Sequence, residues 1–573
     1  MKKTLLWLIL LGLLTGGCTS APEIIHANAT GGVIEQLSEL TVDPPGLVHD
    51  NTDLVSGSGN CAECHSGLQA EASACLSCHP DWDDDSINDI SFDTLWRASM
   101  MAHSARDPYF QASVSAETSL FPERNGEIAE ECARCHMPLA HFDATANHEP
   151  PLILEQGYLN PANELHDLAM DGVSCNLCHQ IERQNFGQTE SFSGHYVIDT
   201  EHRSFGKRVS YGPLPISPGY AELMQLAVGY RPVPSGHSDD SELCGTCHNL
   251  YTPYMDGTGE FIGEYPEQTV HLEWQNSIHA QDSCAECHMP LLENAKISSL
   301  SKDMQSYMRL HTFSGANSFM LNILKANAQQ TGLTAEDIHM DGAIGRIHAQ
   351  LTTDENTEIK LGDLFLRDET LLVELIVSND NGHKRPTGFP SRRMWIHFWM
   401  TDADGVVFFE SGRVDQQGFI QGNDNDLDPA LYEPHYQMID SPDQVQIYEA
   451  ILHNTDNQVT TTLLRAAGYL KDNRLLPAGF PVNDPPPDIA PKGAALEDED
   501  FVARKDTINY LIDLNGHPGP YQIQAELLYQ TIGYRWAENL RQYGTTESVQ
   551  FFQYYDQADL TPILLAATRA VFQ

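Results

Sequence analysis

Twelve of the thirteen cysteines fall into six copies of one pattern, Cys-x-x-Cys-His. The copies are Cys61, Cys64 and His65; Cys75, Cys78 and His79; Cys132, Cys135 and His136; Cys175, Cys178 and His179; Cys244, Cys247 and His248; and Cys284, Cys287 and His288. Two thiols so spaced and followed at once by histidine are the attachment signature of a c-type haem. The thiols form thioethers to the porphyrin, and the histidine stands under the iron as its proximal ligand. Zinc sites and redox-active CxxC pairs use the same thiol spacing, but neither requires a histidine directly after the second cysteine in every copy. No motif cysteine remains for a disulfide framework. The sequence thus predicts six covalently bound c-type haems.

From Cys61 to His311 the six motifs share about 250 residues, too little chain per cofactor for a conventional core, since small units bury little of their own surface. The expectation is a haem-cored, mostly helical and irregular domain whose porphyrins replace that core. At 573 residues the chain exceeds what one core supports, and every motif lies before residue 290. Residues 316–352 read as two connecting helices, with Thr334 and Asp337 spaced as a capping box. Beyond residue 353, LLVELIVSN (371–379), RMWIHFWMTDADGVVFFESG (393–412) and YQIQAELLYQ (521–530) are rich in β-branched and aromatic residues, and Asp404-Gly405 supplies a hairpin turn. The resulting boundaries are a signal over 1–18, a tether over 19–55, a hexahaem domain over 56–315, a helical connector over 316–352 and an all-β, sandwich-like domain over 353–573. The last thirty residues are read as adding a terminal helix.

The start, MKKTLLWLILLGLLTGGC, places two lysines before an apolar run and ends in small residues at Cys18, the form of a secretory signal. It resembles a bacterial lipoprotein signal, which implies lipidation at Cys18, membrane attachment through the acyl chains and an outer-membrane address facing the periplasm or the cell surface. The formal charge of −48 excludes nucleic acid and anionic membrane surfaces as electrostatic partners. Redox partner proteins and periplasmic or extracellular electron acceptors remain. The run NDNDLDP spaces Asp424, Asp426 and Asp428 as in calcium loops, though a solvated acidic turn has the same composition.

Nineteen histidines lie outside the motifs, so distal ligands are plentiful. His279 and His311 flank the sixth motif in EWQNSIH and HTFSGAN. Together with LWRASMMAHSARDP around His103 and DGVSCNLCHQI after His166, these stretches resemble the multihaem cytochrome c superfamily that includes the nitrifier tetrahaem cytochrome and hydroxylamine oxidoreductase. The resemblance covers residues 56–325. It implies that His103, His166, His279 and His311 bind haem iron opposite the motif histidines, with His141, His195 and His237 as further candidates. Met137 and Met289 follow proximal histidines directly and cannot reach the opposite haem face, which leaves them a packing role. The segment GHKRPTGFPSRRMW resembles a β-domain appended to exported multihaem cytochromes. His383 and His435 within that domain are candidates to reach back to a haem, with a local role the commoner expectation for β-domain histidines.

No motif replaces its histidine by lysine, the substitution that marks the catalytic haem in the related nitrite and tetrathionate reductases. The expected function is therefore electron transfer by an exported hexahaem cytochrome with mostly bis-histidine haems, a carrier and not an enzyme. The alternatives are an oxidoreductase acting on a small nitrogen or sulfur species at one open haem, and a subunit of a conducting cytochrome filament.

Overall fold

The computed structural model of the chain describes residues 8–9, 24–25, 45–69, 89–353 and 357–573. Cys18, the second motif (Cys75, Cys78 and His79) and most of the expected tether lie outside the described residues. Among the described residues, no helix is long and apolar enough to cross a membrane.

Each of the five described motifs sits at the end of a short helix: Ser58–His65, Asn125–His136, Cys175–Cys178, Ser241–His248 and Cys284–His288. His179 directly follows its helix, and the other four histidines close theirs. The i, i+3 spacing of the cysteines places both thiols on one face of a single helical turn. Longer helices frame them. Pro108–Leu120 is the longest before residue 310 among the described residues, opened by Pro108 and capped by Asp107, whose carboxylate accepts the Tyr109 N–H at 2.8 Å.

Side-chain cores exist here that the composition did not lead us to expect. Phe110, Ile128, Ala133, Met137 and Tyr158 form one apolar cluster, and Leu54, Val55, Leu139, Leu177 and Ile181 form a second. Helices such as Pro138–Ala146 pack against neighbouring helices directly, so the wrapping of cofactors alone does not account for this region.

The connector is helical over Ser318–Ala326, Ala328–Thr331 and Asp337–Thr352. The last of these starts with Glu336 in the capping position and no side-chain cap bond, so the Thr334 capping box does not form. Beyond it two antiparallel-dominated sheets face each other. In the first, Thr370–Asn379 lies between Thr357–Arg367 and Lys505–Asp513; in the second, Arg393–Thr401 lies between Val407–Ser411 and Tyr521–Gln530. Alternation decides what faces inward. Leu371, Val373, Leu375 and Val377 point into the same core as Met394, Ile396, Phe398 and Met400, and Phe398 stacks on Tyr510 of the opposite sheet at 4.1 Å. Trp395, on the other face of its strand, joins a separate cluster with Ile420, Val445 and Ile447.

The chain does not end in a helix. Helices Tyr534–Arg541 and Thr546–Tyr555 precede a final strand, Ile563–Phe572, paired antiparallel with Tyr521–Gln530. Helix Thr546–Tyr555 packs on helix Pro108–Leu120 of the motif-bearing region. Tyr109 meets Phe551 at 5.5 Å and Phe389 at 6.2 Å, and Ser115 hydrogen-bonds Thr545 between hydroxyls at 2.7 Å. One apolar cluster runs from Ala98 through Met320 and Leu375 to Leu565. The amino-terminal and β-rich parts therefore share a core. Phe551→Ala is expected to cost about 3–5 kcal/mol and to lower one joint unfolding transition; calorimetry that shifts only one of two separate transitions would show that the parts fold independently.

Candidate haem-attachment sites

The described motifs lie against one another. The thiols of Cys61 and Cys175, Cys135 and Cys247, Cys244 and Cys284, and Cys178 and Cys247 lie near enough to influence one another's ionisation. The first, fourth, fifth and sixth motifs thus form a connected series, and the third joins it at the fifth. The contacts are close enough to restrict side chains. Gly194, at φ 74°, lies on the third motif, where a β-carbon would stand 3.0 Å from Cys135 Sγ.

The motif histidines are held in a common way. His136 Nδ1 donates to the Ser104 carbonyl at 3.0 Å, His179 Nδ1 to Tyr211 at 2.5 Å and His288 Nδ1 to Ser314 at 2.6 Å, and His65 Nδ1 donates to Ile297. A neutral imidazole with its proton on Nδ1 carries its lone pair on Nε2, the atom that a metal takes. Burial lowers the basicity of His65, His136 and His179, and brings His248 down to about 4, so these rings are neutral at ordinary pH. His248 makes no such carbonyl bond to any described residue. Phe110 lies flat on His136 at 3.8 Å and fixes its plane.

The same test sorts the distal candidates. His311 Nδ1 donates to Arg309 at 2.9 Å, His166 Nδ1 to Tyr158 at 2.7 Å and His195 Nδ1 to Phe192 at 2.8 Å, which leaves Nε2 of each for a ligand. The bond is not diagnostic alone, since His453 in strand Ala450–His453 also makes it, with Gly468 against its Nε2. His103 is 2% exposed and neither of its nitrogens makes a well-formed hydrogen bond. Burial brings His103 and His311 down to about 3. Two candidates are placed otherwise. His237 Nε2 donates to the Ile181 carbonyl at 2.8 Å and His141 Nε2 to the Glu130 carboxylate at 2.9 Å, and in that tautomer Nε2 has no lone pair to give a metal. His279 faces an acceptor at each nitrogen, the Asp282 carboxylate 3.0 Å from Nδ1 and the Asp380 carbonyl 3.1 Å from Nε2.

His271 was not among the expected ligands. It is 2% exposed with both nitrogens unpartnered, and it lies on the fifth motif, where a β-carbon on Gly245 would come within 2.8 Å of its ring. A buried polar atom without a partner costs about 1–3 kcal/mol, so His103 and His271 fit an environment that supplies one.

Ring geometry supplies a further test of fit. An imidazole nitrogen bonds a first-row metal at about 2.0–2.1 Å, and the ring centre lies about 1.2 Å behind that nitrogen. Two imidazoles on opposite sides of one ion therefore have centres about 6.4–6.6 Å apart. His179 and His311 lie 6.4 Å apart with their planes at 13°, and His288 and His383 lie 6.4 Å apart at 20°. The residues present fit c-type haem held by the motif thiols and histidines.

The acidic run does not form a calcium loop. Asp426 makes a buried two-pronged ion pair with Arg393, at 2.7 and 2.9 Å, and accepts the Ile420 N–H; Asp424–Leu427 is a helical turn capped by Asn423. His435, Asp498 and Asp506 also cluster in the sandwich. There His435 Nδ1 accepts N–H groups from Gln446 and Asn473, so Nε2 holds the proton and donates to Asp498 at 2.9 Å. That tautomer offers no lone pair to a cation or to a haem.

The β-rich part is locked to the sixth motif by buried charge. Glu273 Oε1 pairs with Arg474 at 3.2 Å, and Glu273 Oε2 accepts the Lys384 N–H at 3.1 Å and the Thr387 hydroxyl at 2.5 Å. Lys384 Nζ and Arg474 converge on Asp472 at 2.6 and 2.8 Å. Burial alone would raise the Asp472 carboxyl, but Arg474 and Lys384 hold it well below the usual range.

No family model and no curated protein matches the chain. It is similar to one solved structure, a penta-heme cytochrome c552 from Thermochromatium tepidum, at 16% identity and a TM-score of 0.44 over 87% of this chain and 97% of that one. A likeness this distant assigns no activity.

Asp472→Asn leaves the Lys384 ammonium buried without its carboxylate and Arg474 with Glu273 alone, and is expected to cost about 3–5 kcal/mol. Acid acts in the same direction. Because the folded carboxyl lies below its ordinary 3.8, its contribution is complete above that value and is lost as pH falls through it towards the lower folded value. A denaturant midpoint unchanged by the substitution at neutral pH would show that the network contributes nothing.

Proposed function

We propose that this chain is an exported hexahaem c-type cytochrome that carries electrons, with most of its haems held between two histidines. The observation that carries the reading is the His179–His311 pair, whose 6.4 Å separation matches two imidazoles on one ion. Its support comes from a motif histidine and a histidine of HTFSGAN, each with Nδ1 tied to a carbonyl and Nε2 left over.

Haem, when bound, supplies a one-electron iron couple. The chain's own part is to hold it rigidly: thiols fix the macrocycle, carbonyls fix the tautomers, and burial keeps His65, His136, His179, His248 and His311 neutral. Contact between successive motifs favours one-electron exchange along the series over diffusion of a substrate to one isolated site. Export and lipidation at Cys18 belong to the same proposal and rest on the amino-terminal sequence.

A carrier with two strong ligands per iron resists small exogenous ligands, whereas a catalytic haem keeps a position open. Titration of the reduced holoprotein with carbon monoxide is expected to show no rapid binding. Rapid stoichiometric binding at one haem, with a high-spin signal from the resting protein, would replace the carrier reading by an oxidoreductase.

A further inference from the structure

His383 belongs to the β-rich part, in the loop that follows strand Thr370–Asn379. Its sequence distance from the sixth motif hides how closely the two meet. The loop folds back over helix Val270–Gln275 and the residues after it: a β-carbon on Gly382 would stand 3.3 Å from His279 Cβ and 3.6 Å from Trp274 Cδ1. Lys384, the next residue, is pinned at its amide by Glu273 and at its ammonium by Asp472, and Asn379 Nδ2 donates to the His383 carbonyl at 3.0 Å. His383 is thus held from both sides by groups with no freedom to relax.

Its ring lies near that of a motif histidine, the two planes 20° apart. His383 Nδ1 donates to the Lys384 carbonyl at 3.1 Å, and His288 Nδ1 donates to Ser314 at 2.6 Å, so Nε2 is the nitrogen left on each. Their centres lie 6.4 Å apart, the same separation as His179 and His311. His279, nearer in sequence, has the Asp282 carboxylate 3.0 Å from Nδ1 and the Asp380 carbonyl 3.1 Å from Nε2, so a protein oxygen already stands where a metal would meet its Nε2. We propose that His383, and not His279, is the axial ligand opposite His288, so that the β-rich part completes the sixth haem site. This rests on the cytochrome reading and extends it: the C-terminal region becomes part of the redox machinery, and the buried Glu273–Arg474 and Lys384–Asp472 contacts become the supports that keep one iron closed.

The test uses the full-length holoprotein and electron paramagnetic resonance. His383→Ala should convert one haem per chain from low to high spin and open it to carbon monoxide, and added imidazole should restore the low-spin signal. His279→Ala should leave the spectrum unchanged. If His383→Ala does not accumulate, His383→Met should give one haem with a sulfur–nitrogen axial pair. An unchanged spectrum in the His383 variants, or conversion by His279→Ala, overturns the assignment while the cytochrome reading stands. Wild-type protein without any low-spin bis-imidazole haem overturns both.

Discussion

The hydrogen bond from histidine Nδ1 to a backbone carbonyl is the contact on which the rest of this molecule depends. It decides which nitrogen is free, and so whether a buried imidazole can hold a metal at all. The acceptors are not local. His65 is served by Ile297, 232 residues away, and His136, His179 and His288 by carbonyls 26 to 32 residues away. A motif supplies thiols and a ring, but only the folded chain supplies the tautomer. The fold can be understood as the arrangement that brings those carbonyls to those rings.

The β-rich part follows the same logic at larger scale. A sandwich tethered by a flexible link would leave Glu273, Lys384, Asp472 and Arg474 solvated, with the weak pairing typical of exposed ions. Here all four are buried and mutually satisfied across the boundary, and helix Thr546–Tyr555 packs on helix Pro108–Leu120. Buried pairs contribute little net stability but penalise any arrangement that separates them. Their effect is geometric: they hold the loop that carries His383 at one distance from His288.

The motif residues were legible because covalent attachment dictates a local spacing that no tertiary contact can change. The sandwich strands were legible for a similar reason, since TLLVELIVSN alternates with the period that a half-buried strand requires. Choosing distal histidines was harder, because the choice turns on what each second nitrogen meets. His271 and His279 flank the same tryptophan, yet one is buried without partners and the other spends both nitrogens on Asp282 and Asp380. A local role was favoured for His383 over a reach to a haem because nothing in its neighbourhood records a contact made about a hundred residues away. The final strand was missed because ILLAATRAVF suits a helix by composition and is extended only through its pairing with Tyr521–Gln530.

The central claim is that particular pairs of imidazoles share one iron. Anomalous diffraction at the iron edge from crystals of the holoprotein locates each iron directly. The account predicts one iron midway between Nε2 of His179 and His311 and another between Nε2 of His288 and His383. An iron at either motif bound on its far face by a different side chain, or by none, would contradict it.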